Sequence, residues 1–88
     1  MANCEKILAK ARNSPSGLRF EEARQLAECL GFTFIRSRGS HFYYKAPGII
    51  EPLNLQEVDG KAKAYQVRRM IRLYDERMNQ ADTDDQYS

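Results

Sequence analysis

The chain contains one histidine, His41, and cations crowd it on both sides: Arg36 and Arg38 before, Lys45 after. Gly39, Ser40 and Tyr43 lie among them. An imidazole with an unperturbed pKa of ~6.5 can take and return a proton near neutrality. A guanidinium or ammonium can grip a phosphate, and a phenol ring offers a face for a base. The set suits a ligand that carries both phosphates and bases. The plainer reading is a surface histidine beside a turn, with Gly39 serving the turn and Tyr43 ordinary sheet packing.

Two apolar, aromatic-rich runs flank this stretch: Phe32-Thr33-Phe34-Ile35 before it and Phe42-Tyr43-Tyr44 after it. They predict a β-hairpin turning at Arg38-Gly39, with Gly39 supplying a positive φ. In that register Arg36 faces His41, Ile35 faces Phe42, and Phe34 faces Tyr43. Period-two alternation then puts Thr33, Ile35, Phe42 and Tyr44 on a core face. Phe34, Arg36, His41, Tyr43 and Lys45 fall on the other. A slip of one residue would exchange the two faces.

The remaining elements must carry this hairpin. Residues 3–11 read as a helix capped by Asn3, with Ile7, Leu8 and Ala11 as its apolar stripe. Residues 13–17 are a loop by composition. Residues 20–30 read as a second helix, with Phe20, Ala23, Leu26, Ala27 and Leu30 on one side and Gly31 ending it. Residues 49–56 resume an extended pattern, with Leu53 and Leu55 toward the core and Asn54 and Gln56 away from it. Pro52 argues for a strand beginning or an edge. Val58-Asp59-Gly60-Lys61 reads as a connection. Residues 63–78 form a third helix with Ala64, Val67, Met70, Ile71, Tyr74 and Met78 as its stripe. The acidic residues 79–88 read as a disordered tail. The order α-α-β-β-β-α predicts an α+β domain over 1–78, a three-stranded antiparallel sheet with helices on one face.

Eighty-eight residues allow one small domain with a modest core. No run approaches the ~18 apolar residues of a membrane span, and the N-terminus lacks the apolar region of a signal peptide. No membrane partner is expected. Cys4 and Cys29 are far apart in sequence, so they read as reduced thiols of a cytoplasmic protein. With one histidine and two scattered cysteines, no metal site and no cofactor is expected. Residues 1–74 hold 13 Lys or Arg against 7 Asp or Glu, while residues 75–88 hold Arg77 against five acids. A basic body fits a nucleic-acid partner, although a solvated surface with an acidic tail explains the charge as simply. Arg68, Arg69 and Arg72 lie off the third helix's stripe. They read as a solvated face, with RNA phosphates or an acidic partner as alternatives.

Leu30-Gly31-Phe32 at the helix–strand junction, Arg38-Gly39-Ser40-His41 at the hairpin, and Asn54-Leu55-Gln56 with Gly60-Lys61-Ala62-Lys63-Ala64-Tyr65-Gln66-Val67 downstream resemble the HicA (YcfA-like) family of bacterial toxins. The resemblance covers roughly residues 18–75 and becomes fairly specific when the three segments are joined. It implies a fold similar to the double-stranded-RNA-binding domain. It also implies a ribonuclease that cleaves mRNA, is neutralised by a HicB antitoxin, and uses the histidine at position 41. Residues 1–17 and the acidic tail fall outside the pattern. The rival reading is a non-catalytic RNA-binding module of the same fold; a third is a protein adaptor docking through its open sheet face.

The implied chemistry fits the residues. RNA supplies its own nucleophile, the 2′-hydroxyl, so cleavage needs a base, a donor for the leaving 5′-oxygen and positive charge at the phosphate. His41 suits the base. Arg36, predicted beside it, would favour the neutral imidazole and hold a phosphate, with Arg38 or Lys45 sharing that task. Ser40 could donate a hydrogen bond or only shape the turn. One histidine cannot perform both proton transfers at once, which leaves Tyr43, Lys45, water or a second copy as the donor.

Overall fold

The computed structural model describes residues 3–87, with side chains as far as Asn79. Helices α1 (Cys4–Asn13) and α2 (Phe20–Cys29) flank a short 3-10 turn at Pro15–Gly17. Strands β1 (Thr33–Arg38), β2 (His41–Ala46), β3 (Ile49–Val58) and β4 (Lys61–Ala62) follow, then α3 (Ala64–Tyr87). The strands form one antiparallel sheet in the order β1-β2-β3-β4. The α+β order is the expected one, with a short fourth strand added. That strand follows from Asp59-Gly60, which take φ of 52° and 78°, the left-handed pair of a type I′ hairpin turn. Sequence reading took the same four residues for a plain connection.

The core lies between the helices and one sheet face. Ile7, Ala11, Leu18, Phe20, Ala23, Leu26, Ala27 and Leu30 are buried on the N-terminal side, against Tyr44, Ala46, Leu53 and Leu55 of the sheet and Val67, Met70 and Ile71 of α3. Leu73, outside the predicted stripe, is buried, whereas Met78 is 45% exposed. Asn3 caps α1, its side chain accepting from the Lys6 N–H at 3.1 Å. Arg19, at the cap of α2, has no acceptor to offer. Glu22 takes the Arg19 N–H instead, at 3.1 Å, and the Phe20 N–H donates to the Gly60 carbonyl at 3.0 Å. The helix start is thus held by the β3–β4 turn.

Two expectations are corrected. Cys4 and Cys29 are joined in a disulfide, with Cα atoms 5.7 Å apart. Helices α1 and α2 run antiparallel, so the first residue of one meets the last of the other, a proximity that spacing along the chain cannot show. The cysteines therefore give no argument for a reducing compartment. Second, α3 does not stop near Met78; its backbone continues to Tyr87, into the segment read as a disordered tail. No Gly or Pro follows Gly60, so no residue there breaks a helix. Among the described residues no helix is long and apolar enough to cross a membrane.

The N-terminal extension belongs to the helical layer. Besides the disulfide, Lys10 donates to Glu22 at 2.9 Å, and Arg12 grips Asp75 of α3 with two bonds of 2.8 and 2.9 Å. The Arg12 hydrogen bonds hold the Asp75 carboxyl below its usual range, and Lys10 does the same for Glu22.

Two outcomes follow for stability. The disulfide closes a 25-residue separation. Its removal by Cys4→Ser with Cys29→Ser should cost about 3 kcal/mol, read as a lower urea midpoint that reductant no longer changes. The depressed carboxyls contribute stability above the ordinary range near pH ~4 and lose it as pH falls through their lower folded values. The urea midpoint should therefore drop on acidification, and Asp75→Asn should flatten that drop while lowering the midpoint at neutral pH.

Candidate functional site

The hairpin turns at Gly39-Ser40, not at Arg38-Gly39, because Arg38 pairs with His41. Gly39 takes φ 60° and Ser40 remains at negative φ, the pattern of a type II′ turn, which wants glycine first. Near the turn the pairing is displaced by two residues from the predicted register: Arg36 faces Tyr43, and Ser37 faces Phe42. A shift of two preserves faces, so Arg36, Arg38, His41 and Tyr43 share the side away from the helices. A bulge between Phe34 and Arg36 then reduces the displacement to one, with Phe34 facing Tyr44 and Thr33 facing Lys45.

That odd shift exchanges two side chains. Phe34, expected on the open face, packs with the core-side rings Phe42 and Tyr44 at centroid distances of 6.0 and 5.5 Å. Ile35, expected in the core, is 47% exposed and lines a depression on the open face with Arg36, Tyr43, Lys45 and Pro52. Thr33, also expected inside, is exposed.

The open face reads as two rows across three strands. One runs Arg38–His41–Gln56, the other Arg36–Tyr43–Asn54. The predicted neighbour of His41 is thereby corrected: Arg38 stands across from it, while the Arg36 guanidinium lies over the Tyr43 ring at 5.5 Å. The His41 and Tyr43 rings stack, with centroids 6.4 Å apart and planes 20° from parallel. His41 is half-buried, and its Nδ1 lies 3.2 Å from Asn54 Oδ1. Lys45 is exposed farther along β2.

Gly39 and Ser40 work through the backbone. A Cβ on Gly39 would meet no atom within 4 Å, so its glycine is needed for φ rather than for space. The Ser40 carbonyl accepts the Glu57 N–H at 2.9 Å, tying the turn to β3. Of Arg68, Arg69 and Arg72 on α3, Arg69 is engaged with Glu51 at 2.6 Å and with the Pro52 carbonyl at 3.2 Å. Arg72 approaches Glu76 at 3.8 Å. Arg68 lies by Arg12 and Ile71 on the helical side.

Asn54 is the residue that sequence reading did not assign to the site. The signal was present: alternation put it on the open face of β3, but only strand pairing shows which residue of β2 it meets.

Compared with models of protein families, with curated proteins and with solved structures, the chain matches none.

Replacing Gly39 tests the turn that places His41. Gly39→Ala should destabilise the fold by about 1 kcal/mol in urea titration despite the open space around it, because the cost lies in the positive φ. Gly39→Asn, which tolerates that region better, should lose less.

Proposed function

We propose that this protein is a HicA-like ribonuclease toxin of a type II toxin–antitoxin pair, with a fold similar to the double-stranded-RNA-binding domain. In this reading it cleaves mRNA in the cytoplasm without a metal, using His41, and a HicB-like antitoxin neutralises it. The supporting observation is the placement of the single histidine: half-buried on the face away from the helices, with Arg38 across one strand and Tyr43 stacked beside it.

The cleavage step is an internal transfer. His41 takes the proton of the 2′-hydroxyl as its oxygen bonds to phosphorus. The bond from phosphorus to the 5′-oxygen breaks, and that oxygen takes a proton from a second donor. The products are a 2′,3′-cyclic phosphate and a 5′-hydroxyl. Tyr43 and Lys45 share the face with His41 and are the donors the chain itself offers. Arg38, facing His41, suits the scissile phosphate; Arg36 and Lys45 suit the phosphates that flank it.

Incubating the purified chain with single-stranded RNA, with and without EDTA, tests this reading. Cleavage should survive the chelator and fall at least ~10²-fold in His41→Ala. The variant should keep its urea midpoint and its RNA affinity, and should no longer arrest growth when expressed. Arg36→Ala and Lys45→Ala should each reduce the slope of log K against log salt by about 0.7. Equal cleavage by His41→Ala would overturn the catalytic role. RNA bound but never cut by the wild type would leave a non-catalytic binding module.

A further inference from the structure

We infer that Asn54 is a positioning residue that fixes the tautomer of His41 and so presents Nε2 as the base. The catalytic half of this inference rests on the ribonuclease reading; the tautomer half does not.

The geometry is diagonal. His41 pairs across the ladder with Gln56, two residues from Asn54 on the same face of β3. From there Asn54 Oδ1 reaches His41 Nδ1 at 3.2 Å. An amide oxygen can only accept, so the facing Nδ1 must carry the proton. In a neutral imidazole the lone pair then sits on Nε2. A free neutral imidazole side chain favours the opposite arrangement, with the proton on Nε2 and the basic lone pair on Nδ1. The Tyr43 ring, nearly parallel to the imidazole, restrains the same ring from its side. Asn54 is half-buried, so its oxygen has less access to competing water than a surface amide.

The groups facing the imidazole define what a titration would sense. Arg38 stands opposite it on β1 and Tyr43 lies beside it on β2, while β3 contributes the neutral Asn54 and Gln56. No carboxylate stands in those two rows. Asn54→Asp therefore adds the only one, in the same place and with the same acceptor.

Because the chain has one histidine, a long-range 1H–15N correlation spectrum of the full labelled protein reads His41 alone. At a pH where the ring is neutral, the wild type should show the proton on Nδ1. Asn54→Ala should move the proton to Nε2, and Asn54→Asp should return it to Nδ1. In cleavage assays Asn54→Ala should lower kcat roughly 10-fold or more with KM nearly unchanged. Asn54→Asp should recover most of kcat at high pH while its acid limb moves to higher pH, since a carboxylate favours the imidazolium. A wild-type ring protonated on Nε2 overturns the inference. So does an Asn54→Ala protein whose tautomer has switched but whose kcat has not changed. If the wild type shows the Nδ1–H form yet cleaves no RNA, the ribonuclease reading fails and Asn54 holds the ring for another purpose.

Discussion

The open face exists because Tyr44 is buried completely, and Tyr44 can be buried because Arg24 donates to its hydroxyl at 2.9 Å. A tyrosine sealed in a core without a partner for its oxygen would lose the desolvation cost of that group, about 1–3 kcal/mol. Arg24 does more than satisfy the oxygen. Its guanidinium also lies over the rings of Phe42 and Phe34, at 4.7 and 5.3 Å. One side chain from α2 thus holds three aromatic residues of the hairpin from below. With Tyr44 facing the helices, strand alternation leaves no freedom for its neighbours. Tyr43 and Lys45 must point away, and so must His41. The exposure of the candidate base is a consequence of how the tyrosine three positions later is packed.

The other constraint is the outer edge of β3. Strand β4 pairs only with Glu57 and Val58, so most of β3 has no strand on that side. Helix α3 covers the gap with side chains. The Gln66 amide oxygen accepts the Gln56 N–H at 2.6 Å, and Arg69 donates to the Pro52 carbonyl. Pro52 itself has no N–H to leave unpaired. These contacts protect an edge that would otherwise invite another strand, and they fix Gln56 in the row that holds His41. They also account for two polar side chains of α3. Gln66 is buried as an edge cap, and Arg69 is occupied by Glu51 and Pro52.

What the sequence carried well was periodicity. Alternation placed Phe42, Tyr44, Leu53 and Leu55 inside and His41, Tyr43, Asn54 and Gln56 outside, and the helix stripes placed most of the rest. What it carried poorly was register. Arg38-Gly39 and Gly39-Ser40 are both two-residue turns containing glycine, and they differ only in whether glycine comes first. The second satisfies the type II′ requirement, which moves every pair near the turn by two residues and spares the faces. The bulge at Ile35 has no local signature, so Phe34 and Ile35 changed places. The disulfide lay beyond reach for a related reason: it depends on α1 and α2 lying antiparallel, a tertiary fact. The Asp59-Gly60 turn, by contrast, is a local signal, since Asp and Gly both tolerate positive φ.

The corrected register changes the electrostatics of the candidate site more than its membership. Every residue proposed to touch RNA remains on the open face or in its turn, but the roles of two arginines exchange. Arg36 lies over the Tyr43 ring, in the row next to the histidine's. Arg38, directly opposite His41 and next to the turn, is the cation that the proposed ribonuclease reading puts at the phosphodiester. In the proposed reading a guanidinium in that position attracts the phosphate. The Asn54 oxygen acts on the imidazole from the opposite strand, through the tautomer. Flanked by β1 and β3, the histidine on the central strand β2 has a neighbouring strand on each side, and an edge strand would have offered only one.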